Sequence, residues 1–329
     1  MGTTLASQSA VPDVDLSQKT AIVTGANTGI GYDTAKTFAQ LGAKVILACR
    51  SESKAKEAIE RMHNEHKEEK ANGKKTKFKI KADDLDIGFM ALDLSSLEST
   101  MNFVKAFKAR KTPLHILVCN AGMAYGGEVK TVDGFEIHFQ VNYLSHFLMT
   151  LHLLPELKSA GPNAKIVLVS SMAYRGARWK EDNLQALNRD QLSKYGFTKL
   201  YQIMEMFTLA DKLKGSGIDV FSLHPGLVDT DITKKDNQEI AWLMRGLVSA
   251  LTYMGLARTT FDGALTTIHA AINPEFDGKT AIYLENAKAA TLQNPLATDK
   301  EKQAFLWKYS LDCLKGYVTE DTLKELTSQ

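Results

Sequence analysis

The sequence predicts a single α/β domain built on a doubly wound parallel sheet, and three observations carry this prediction. Short apolar runs rich in Val, Ile and Leu alternate with longer segments of helical periodicity almost from end to end. The apolar runs are not interrupted by alternating polar residues, which is typical of parallel strands covered by helices. A glycine-rich turn follows the first run and opens a helix, as at the ligand-binding edge of such sheets.

We expect about seven parallel strands with helices on both faces of the sheet. No Pro-, Gly- or Ser-rich linker divides the chain, so we predict one domain over residues 18–315, with a flexible N-terminal arm (1–17) and a C-terminal tail (316–329). The predicted strands are 20–24, 44–49, 88–93, 115–119, 164–170, 218–223 and 281–284.

The composition, 44% hydrophobic and 24% charged, is that of a globular protein, and the net charge of +2 argues against a general nucleic-acid binder. The cysteines Cys49, Cys119 and Cys313 lack metal-site spacing, so we predict reduced thiols and no metal. No signal-peptide pattern or membrane-length apolar stretch is present. We therefore expect a cytoplasmic protein without a membrane span, and leave peripheral membrane association open.

One charged segment interrupts the regular pattern. Residues 63–87 (HNEHKEEKANGKKTKFKIKADDLDI) separate the second helix from the third strand and run from basic to acidic. We interpret them as an extended helix end followed by a solvated excursion. A docking surface is the alternative.

The turn after the first strand, "TGANTGIG", predicts a dinucleotide site. Gly25 permits a sharp turn, and Gly29 and Gly31 remove side chains where a pyrophosphate approaches the backbone and the helix N-terminus. This is the Rossmann arrangement of strand, glycine turn and helix. The predicted cofactor-binding residues of the turn are Gly25, Asn27, Thr28, Gly29, Ile30 and Gly31.

The T-G-x-x-x-G-x-G spacing resembles the short-chain dehydrogenase/reductase superfamily, and further motifs follow in the expected order over about residues 18–315. They are "ALDLSS", "CNAG", "QVNYLSHF", "VSS", "YGFTK" and "HPGLVDTDI". The resemblance implies catalytic roles for Asn142 (in a locally opened helix that holds a water), Ser171, Tyr195 and Lys199. It implies cofactor contacts from Asp93, Leu94, Asn120, Ala121, Gly122, Tyr195, Lys199, Pro225, Gly226, Val228 and Thr230.

Two tyrosine–lysine pairs have the same spacing of four, Tyr195–Lys199 and Tyr32–Lys36, and either pair would share one face of a helix. Tyr32 directly follows the phosphate-binding glycines, which places it far from the nicotinamide. Tyr195 begins a helix after the strand that ends at Ser171, on the carboxyl edge of the sheet. We therefore predict that Tyr195 is catalytic and that Tyr32–Lys36 serves packing and surface.

A phenol with a pKa of about 10 is a poor acid or base at neutral pH. We expect the Lys199 ammonium and the positive charge of an oxidised nicotinamide to lower the pKa of Tyr195. Tyr195 would then exchange a proton with the substrate oxygen while Ser171 holds that oxygen. Lys199 would also bind the nicotinamide ribose, and Asn142 would connect it to solvent through water.

The chain resembles in particular the retinol dehydrogenase and WW-domain oxidoreductase branch of the superfamily. Four features of the sequence support this resemblance. They are the motif "TGANTGIG", the strand end "LACR", the long interval between Ser171 and Tyr195, and the tail with "FLWKYS". The substrate side should be a lid over about residues 231–257, whose part 240–257 is mostly apolar. We expect a small lipophilic carbonyl or alcohol as substrate. We leave open three alternatives to a lid for residues 240–257: core packing, a homodimer contact or a membrane contact.

Three other functions compete with this interpretation. A nucleotide-binding regulatory protein would use the fold without catalysis, although such proteins commonly lose a member of the Ser–Tyr–Lys set. A sugar-nucleotide epimerase or dehydratase resembles G-x-x-G-x-x-G instead, and here the third glycine comes one position early. Steroid or retinoid oxidation would be another reaction of the same superfamily.

The end of the second strand, "ILACRS", predicts the cofactor. An NAD-selective site places a carboxylate there, about 20 residues past the glycines, to bind the ribose 2′-hydroxyl. Arg50 occupies the position instead, with Ser51 beside it. A guanidinium offers several donors to a 2′-phosphate, so we predict NADP(H) as the cofactor. The alternative is an Arg50 that only covers the sheet edge in solvent.

Overall fold

The structure, a computed structural model, describes residues 10–71, 78–125, 129–226 and 259–326. One sheet with the strand order β3-β2-β1-β4-β5-β6-β7-β8 forms its centre. All neighbouring strands are parallel except β7 and β8, which are antiparallel. The strands are β1 (Thr20–Thr24), β2 (Lys44–Cys49), β3 (Ile87–Ala91), β4 (Ile116–Cys119), β5 (Ala164–Val169), β6 (Ile218–His224), β7 (Ile282–Glu285) and β8 (Lys288–Ala289).

Helices cover both faces of the sheet because the central strands are apolar on both. In β1, Ile22 belongs to one hydrophobic core and Val23 to the core on the opposite face, and both are fully buried. The helices are α1 (Gly29–Gln40), α2 (Glu52–Ala71), α3 (Leu97–Lys108), α4 (Ser145–Ser159), α5 (Gln191–Lys212), α6 (Thr260–Ile272), α7 (Lys300–Cys313) and α8 (Glu320–Lys324).

The predicted doubly wound domain is confirmed, with one strand added. Each of the seven predicted strands is present within a few residues of its predicted bounds. The eighth strand, β8, was not predicted, because its two exposed residues show no pattern. It forms through a tight turn in which Asn286 and Ala287 adopt φ of 56° and 59°.

The strand order places a crevice at the centre of the carboxyl edge. β1 pairs with β2 on one side and with β4 on the other, so the chain leaves β1 in one direction and returns beside it in the opposite one. Such a switch point is where doubly wound sheets bind their ligands. The glycine turn after β1 and the segment after β4 meet there.

The first part of the charged insertion lies in α2, as predicted. Lys36 of α1 donates to Glu65 and Glu69 of α2, each at 2.7 Å. The Arg61 guanidinium lies 4.1 Å from the centre of the Tyr32 ring. These contacts fasten the extended helix to α1. Residues 72–77 of the insertion lie outside the described residues.

Both ends of the described chain are packed against the domain. Residues 1–9 lie outside the described residues, but Val11 and Leu16 are buried, and the Leu16 amide donates to the Leu41 carbonyl at 2.8 Å. The second half of the expected flexible arm is therefore part of the fold, because it buries these two apolar side chains. The predicted C-terminal tail also contributes a buried side chain, Leu326.

A buried ion pair joins β5 and β6 near the amino edge of the sheet. Lys165 Nζ lies 2.6 Å from Asp219 Oδ2 and 2.9 Å from Asp277 Oδ1. The Lys165 side chain is only 3% exposed. Because Lys165 and Asp219 are removed from water, each of these two charges depends on the other.

Two absences apply to the described ranges. None of their helices has the length and apolar character needed to cross a bilayer. In the same ranges, no cluster of three His, Cys, Asp or Glu side chains is arranged to hold a metal ion.

Candidate active site

The glycine turn ends in a helix N-terminus that is free of a side-chain cap. Gly25 and Gly29 adopt φ of +65° and +60°, a conformation that other residues adopt only with strain. α1 begins at Gly29, and the Thr28 side chain makes no capping hydrogen bond. The first N–H groups of α1 have no intrahelical partner, so they can bind an anion in the crevice.

Gly31 is also required for packing within the protein. A Cβ atom at this position would lie 2.5 Å from Asn120 Nδ2 and 2.6 Å from the Gly25 carbonyl oxygen. Asn120 Nδ2 in turn donates to the Thr24 carbonyl at 2.8 Å. Gly31 therefore lets α1 pack closely against the turn and the segment after β4.

Thr24 connects the first strand with the "NAG" segment after β4. Its Oγ1 accepts from the amides of Asn120 and Ala121, each at 2.9 Å, and lies 3.0 Å from His146 Nε2. With both lone pairs occupied, the hydroxyl must donate its own proton, and His146 Nε2 is its nearest acceptor. Nδ1 then carries the His146 proton and donates to the Asn142 carbonyl at 3.3 Å.

His146 is a neutral bridge between the glycine strand and the predicted catalytic asparagine. Burial lowers its pKa to about 3, so the ring is uncharged at neutral pH. We did not predict roles for Thr24 or His146. The available signals were the Thr that opens the glycine motif and the His that follows Asn142 by one helical turn.

Asn142 lies in a π-helical segment, Gln140–Leu144, immediately before α4. The expected local opening of this helix is therefore present. Asn142 Oδ1 accepts from the Met123 amide at 2.8 Å, and Nδ2 donates to Thr198 Oγ1 at 3.0 Å. These bonds orient the segment after β4 against α5.

Ser171 and Tyr195 meet at the carboxyl edge of β5. Ser171 lies two residues beyond the end of β5 and caps a short 3₁₀ turn. Asp190 caps α5, so that Tyr195 lies in the second turn of this helix. Burial raises the pKa of the Tyr195 phenol, and a hydrogen bond with Ser171 opposes that shift. The pair thus joins a buried phenol to a hydroxyl that favours its ionised form.

Lys199 lies one helical turn beyond Tyr195, with Nζ 5.4 Å from the centre of the phenol ring. Nζ donates to the Val169 carbonyl at 2.7 Å and to Gln202 Oε1 at 2.9 Å. A Cβ on Gly122 would lie 3.4 Å from the same nitrogen, so this glycine leaves space beside the ammonium. Burial lowers the pKa of Lys199 to about 7.

Burial opposes the electrostatic effect expected at Tyr195. We expected Lys199 to lower the phenol pKa, but burial shifts both groups toward their neutral forms. Desolvation is the larger effect at this depth. A lowered phenol pKa therefore depends on further positive charge brought to the crevice.

The second tyrosine–lysine pair has no such arrangement. Burial raises the pKa of Tyr32. Lys36 is engaged by Glu65 and Glu69, and these bonds help to raise its pKa. The pair belongs to the contact between α1 and α2.

The other predicted cofactor residues line the same edge. Arg50 is exposed at the end of β2, and Asp93 Oδ1 accepts from the Ser95 amide at 2.9 Å and from Ser95 Oγ at 2.6 Å. Leu94 is buried. Pro225 and Gly226 follow β6, while Val228, Thr230 and the lid 231–257 lie outside the described residues. The uncapped helix, the glycine turn and Arg50 fit a dinucleotide.

Comparison with known proteins identifies the family. The sequence pattern of the family described as short chain dehydrogenase matches residues 19–241. The chain belongs to the short-chain dehydrogenase family. Its α/β fold and the arrangement at the carboxyl edge agree with this assignment.

Curated relatives confirm the predicted branch of the short-chain dehydrogenases. Polyprenol dehydrogenase from Homo sapiens is 37% identical over 300 residues, which cover 89% of this chain and 84% of the relative. Retinol dehydrogenase 12 from Mus musculus is 33% identical, and the match covers 92% of this chain and 88% of the relative. WW domain-containing oxidoreductase from Danio rerio is 34% identical, covering 90% of this chain and 68% of the relative.

Solved structures share the fold of this short-chain dehydrogenase. A protein from Mycobacterium paratuberculosis superimposes with a TM-score of 0.69 at 25% identity and covers 94% of this chain and 98% of its own. An NADP complex from Pseudomonas aeruginosa has a TM-score of 0.60 at 24% identity, covering 82% and 95%. A 3-ketoacyl-(acyl-carrier-protein) reductase from Brucella melitensis, complexed with NADH, has a TM-score of 0.59 at 24% identity. The match covers 82% of this chain and 97% of that structure.

Proposed function

We propose that this short-chain dehydrogenase interconverts a lipophilic carbonyl compound and its alcohol, with NADP(H) as cofactor and Tyr195 as acid and base. The observation that carries the proposal is the half-buried Tyr195 side chain, whose phenol bonds Ser171 and lies beside Lys199 at the mouth of the crevice. Retinol and polyprenol, which appear in the names of two relatives, are apolar alcohols. They support an apolar substrate of this class.

The protein's own residues would handle the proton. The cofactor, when bound, supplies or accepts the hydride at the carbinol carbon. In the reducing direction, Tyr195 donates its phenolic proton to the substrate oxygen, which Ser171 holds by a hydrogen bond. Lys199 uses two donors on Val169 and Gln202, which leaves one N–H for a group in the crevice.

A panel of ketones, aldehydes and alcohols, incubated with NADPH, NADP⁺, NADH or NAD⁺, tests the reaction directly. We expect hydride transfer, followed by nicotinamide absorbance, with at least one apolar substrate. Cofactor binding without any turnover across the panel would favour the nucleotide-binding regulatory alternative. Turnover of nucleotide sugars alone would favour an epimerase or dehydratase.

The cofactor preference is tested at Arg50. We expect the wild type to bind NADPH more tightly than NADH, and Arg50→Asp to weaken NADPH binding far more than NADH binding. The exchange replaces attraction for the 2′-phosphate by repulsion and supplies an acceptor for a ribose diol. Dissociation constants of both cofactors can be measured by fluorescence titration.

Arg110→Asp is the matched control for Arg50→Asp. It makes the same charge change at an exposed residue beyond α3, near the amino edge of the sheet, and it should affect both cofactors equally and slightly. Equal affinities in the wild type, or equal losses in Arg50→Asp, would contradict the NADP(H) preference.

We also propose a cytoplasmic location. The support is chemical: Cys49, Cys119 and Cys313 are all free thiols, which suits a reducing compartment. Cell fractionation at moderate salt should recover the protein in the soluble fraction. Recovery only with detergent would instead favour membrane contact through 240–257.

A further inference from the structure

A row of buried polar side chains continues from Lys199 into the core along α5. Gln202 is fully buried, and its Oε1 accepts from Lys199 Nζ at 2.9 Å. Glu205 is only 2% exposed and lies three residues further on, which places it one turn along the same helix. Neither residue belongs to the predicted site, and neither contributes to apolar packing.

Polar atoms at the ends of the Gln202 and Glu205 side chains lack hydrogen-bond partners. Within the described ranges, Gln202 Nε2 and both carboxyl oxygens of Glu205 are buried and have no hydrogen-bond partner. A buried polar group without a partner destabilises the fold, because it loses its hydrogen bonds to water. Three such atoms on adjacent turns of one helix match the donors and acceptors that typically hold a buried water.

The titratable groups beside this row have pKa values that burial shifts toward their neutral forms. Burial raises the pKa of Glu205 well above its ordinary value, so the carboxyl carries its proton. The Cys119 thiol of β4 is within electrostatic reach of both Glu205 and Lys199, and burial raises its pKa also. Tyr143 interacts with Glu205, while His146 and Tyr195 lie near Lys199, and burial shifts the pKa of each toward the neutral form.

We propose that Gln202 and Glu205 bind one internal water and together position Lys199 for the reaction. Gln202 is the positioning residue that touches the ammonium through Oε1. Its Nε2 and the protonated carboxyl of Glu205 both bind the water, which fixes the orientation of the amide. This inference rests on the proposed function, because Lys199 matters only if Tyr195 performs acid–base chemistry.

The Gln202 amide oxygen gives Lys199 a fixed hydrogen-bond acceptor that carries no negative charge. An anion at this depth would pair with the ammonium and draw it away from the crevice, whereas an amide oxygen holds it in place and leaves its charge available. The Val169 carbonyl provides the second fixed acceptor. These two acceptors favour the protonated form of Lys199, whereas burial favours its neutral form.

The test compares Gln202→Leu, Glu205→Leu and Glu205→Gln in the full-length protein. The Lys199 pKa is read from the lysine side-chain NMR signal that disappears in Lys199→Met. We expect Gln202→Leu to lower the Lys199 pKa by about one, because the loss of a hydrogen bond to a charged group has an effect of this size. Glu205→Leu should lower it less, and Glu205→Gln, which keeps donor and acceptor atoms, should restore the wild-type value.

Two further measurements separate positioning from a structural role. Infrared spectra of the wild type at pH 7 should contain the carbonyl band of a protonated carboxyl that is lost in Glu205→Gln. The alkaline limb of the reduction rate should move to lower pH in Gln202→Leu by the same amount as the Lys199 pKa. Gln303→Leu is the matched control and should change neither, because Gln303 is a buried amide on α7 that donates to the Ala297 carbonyl and not to Lys199.

An unchanged Lys199 pKa in Gln202→Leu, or a wild type without the carbonyl band, would overturn the inference. A Lys199 pKa that falls as far in Glu205→Gln as in Glu205→Leu would also overturn it, since Glu205 would then act as an anion. The NMR and infrared measurements need no substrate. A protein that shows both signals but transfers no hydride would reject the proposed function and retain this inference.

Discussion

Tyr195→Phe should reduce turnover by at least about 10²–10⁴-fold, the usual value of positioned proton transfer. The variant loses only the phenolic oxygen, which Ser171 contacts, and keeps the ring that packs beside Lys199. The fold and the dissociation constant of the cofactor should therefore stay close to wild type. Single-turnover kinetics under saturating cofactor measure the chemical step, and circular dichroism verifies the fold.

Tyr32→Phe is the matched control for this experiment. Its hydroxyl lies at the contact between α1 and α2, where Arg61 covers the ring. We expect the chemical step to change less than about twofold in this variant, because surface or packing changes of this size leave a distant site intact. Equal losses of activity in the two variants would show that the choice between the tyrosines is wrong.

Lys165→Met should lower the free energy of unfolding by about 3–5 kcal/mol, because it leaves the buried Asp219 carboxylate without its counter-charge. Lys165 is 3% exposed and contacts both Asp219 and Asp277. The pair lies near the amino edge of the sheet, so kcat/KM of the folded enzyme should remain unchanged. Urea unfolding followed by fluorescence gives the difference in stability.

Lys300→Met provides the comparison for an exposed ion pair. Lys300 contacts Asp211, and both side chains are more than 60% exposed. Exposed pairs contribute about 0–1 kcal/mol, so this variant should be nearly as stable as wild type. A similar loss in both lysine variants would mean that burial of the Lys165 pair does not decide its strength.

The sequence was sufficient for the sheet because its signal is local. Each parallel strand is a short apolar run, and each run could be recognised without knowing its neighbours. β8 and residues 10–17 carried no such signal. In the latter, Val11 and Leu16 are isolated apolar residues whose burial depends on surfaces formed by distant parts of the chain.

The candidate site was predictable only where motifs mark it. The glycine turn, Ser171, Tyr195 and Lys199 stand in recognisable patterns, whereas the contact between Thr24 and His146 joins residues 122 positions apart. The orphaned atoms of Gln202 and Glu205 are equally invisible in the sequence, because α5 has ordinary helical periodicity there. The opposing effect of burial on the Tyr195 pKa could not be read from the sequence either, because burial depth is a property of the whole fold.

The packed segment 10–17 determines on which side of the domain a protein or linker fused before residue 10 would lie. It contacts the ends of α1 and α6, since Leu16 donates to Leu41 and His269 donates to the Ala10 carbonyl. Helices in this fold run opposite to the strands, so those ends lie at the rim farthest from the crevice. A reporter protein or a surface linker attached before residue 10 would leave the crevice facing open solution. Immobilised electrodes or sensors made from this enzyme should therefore be coupled through that end.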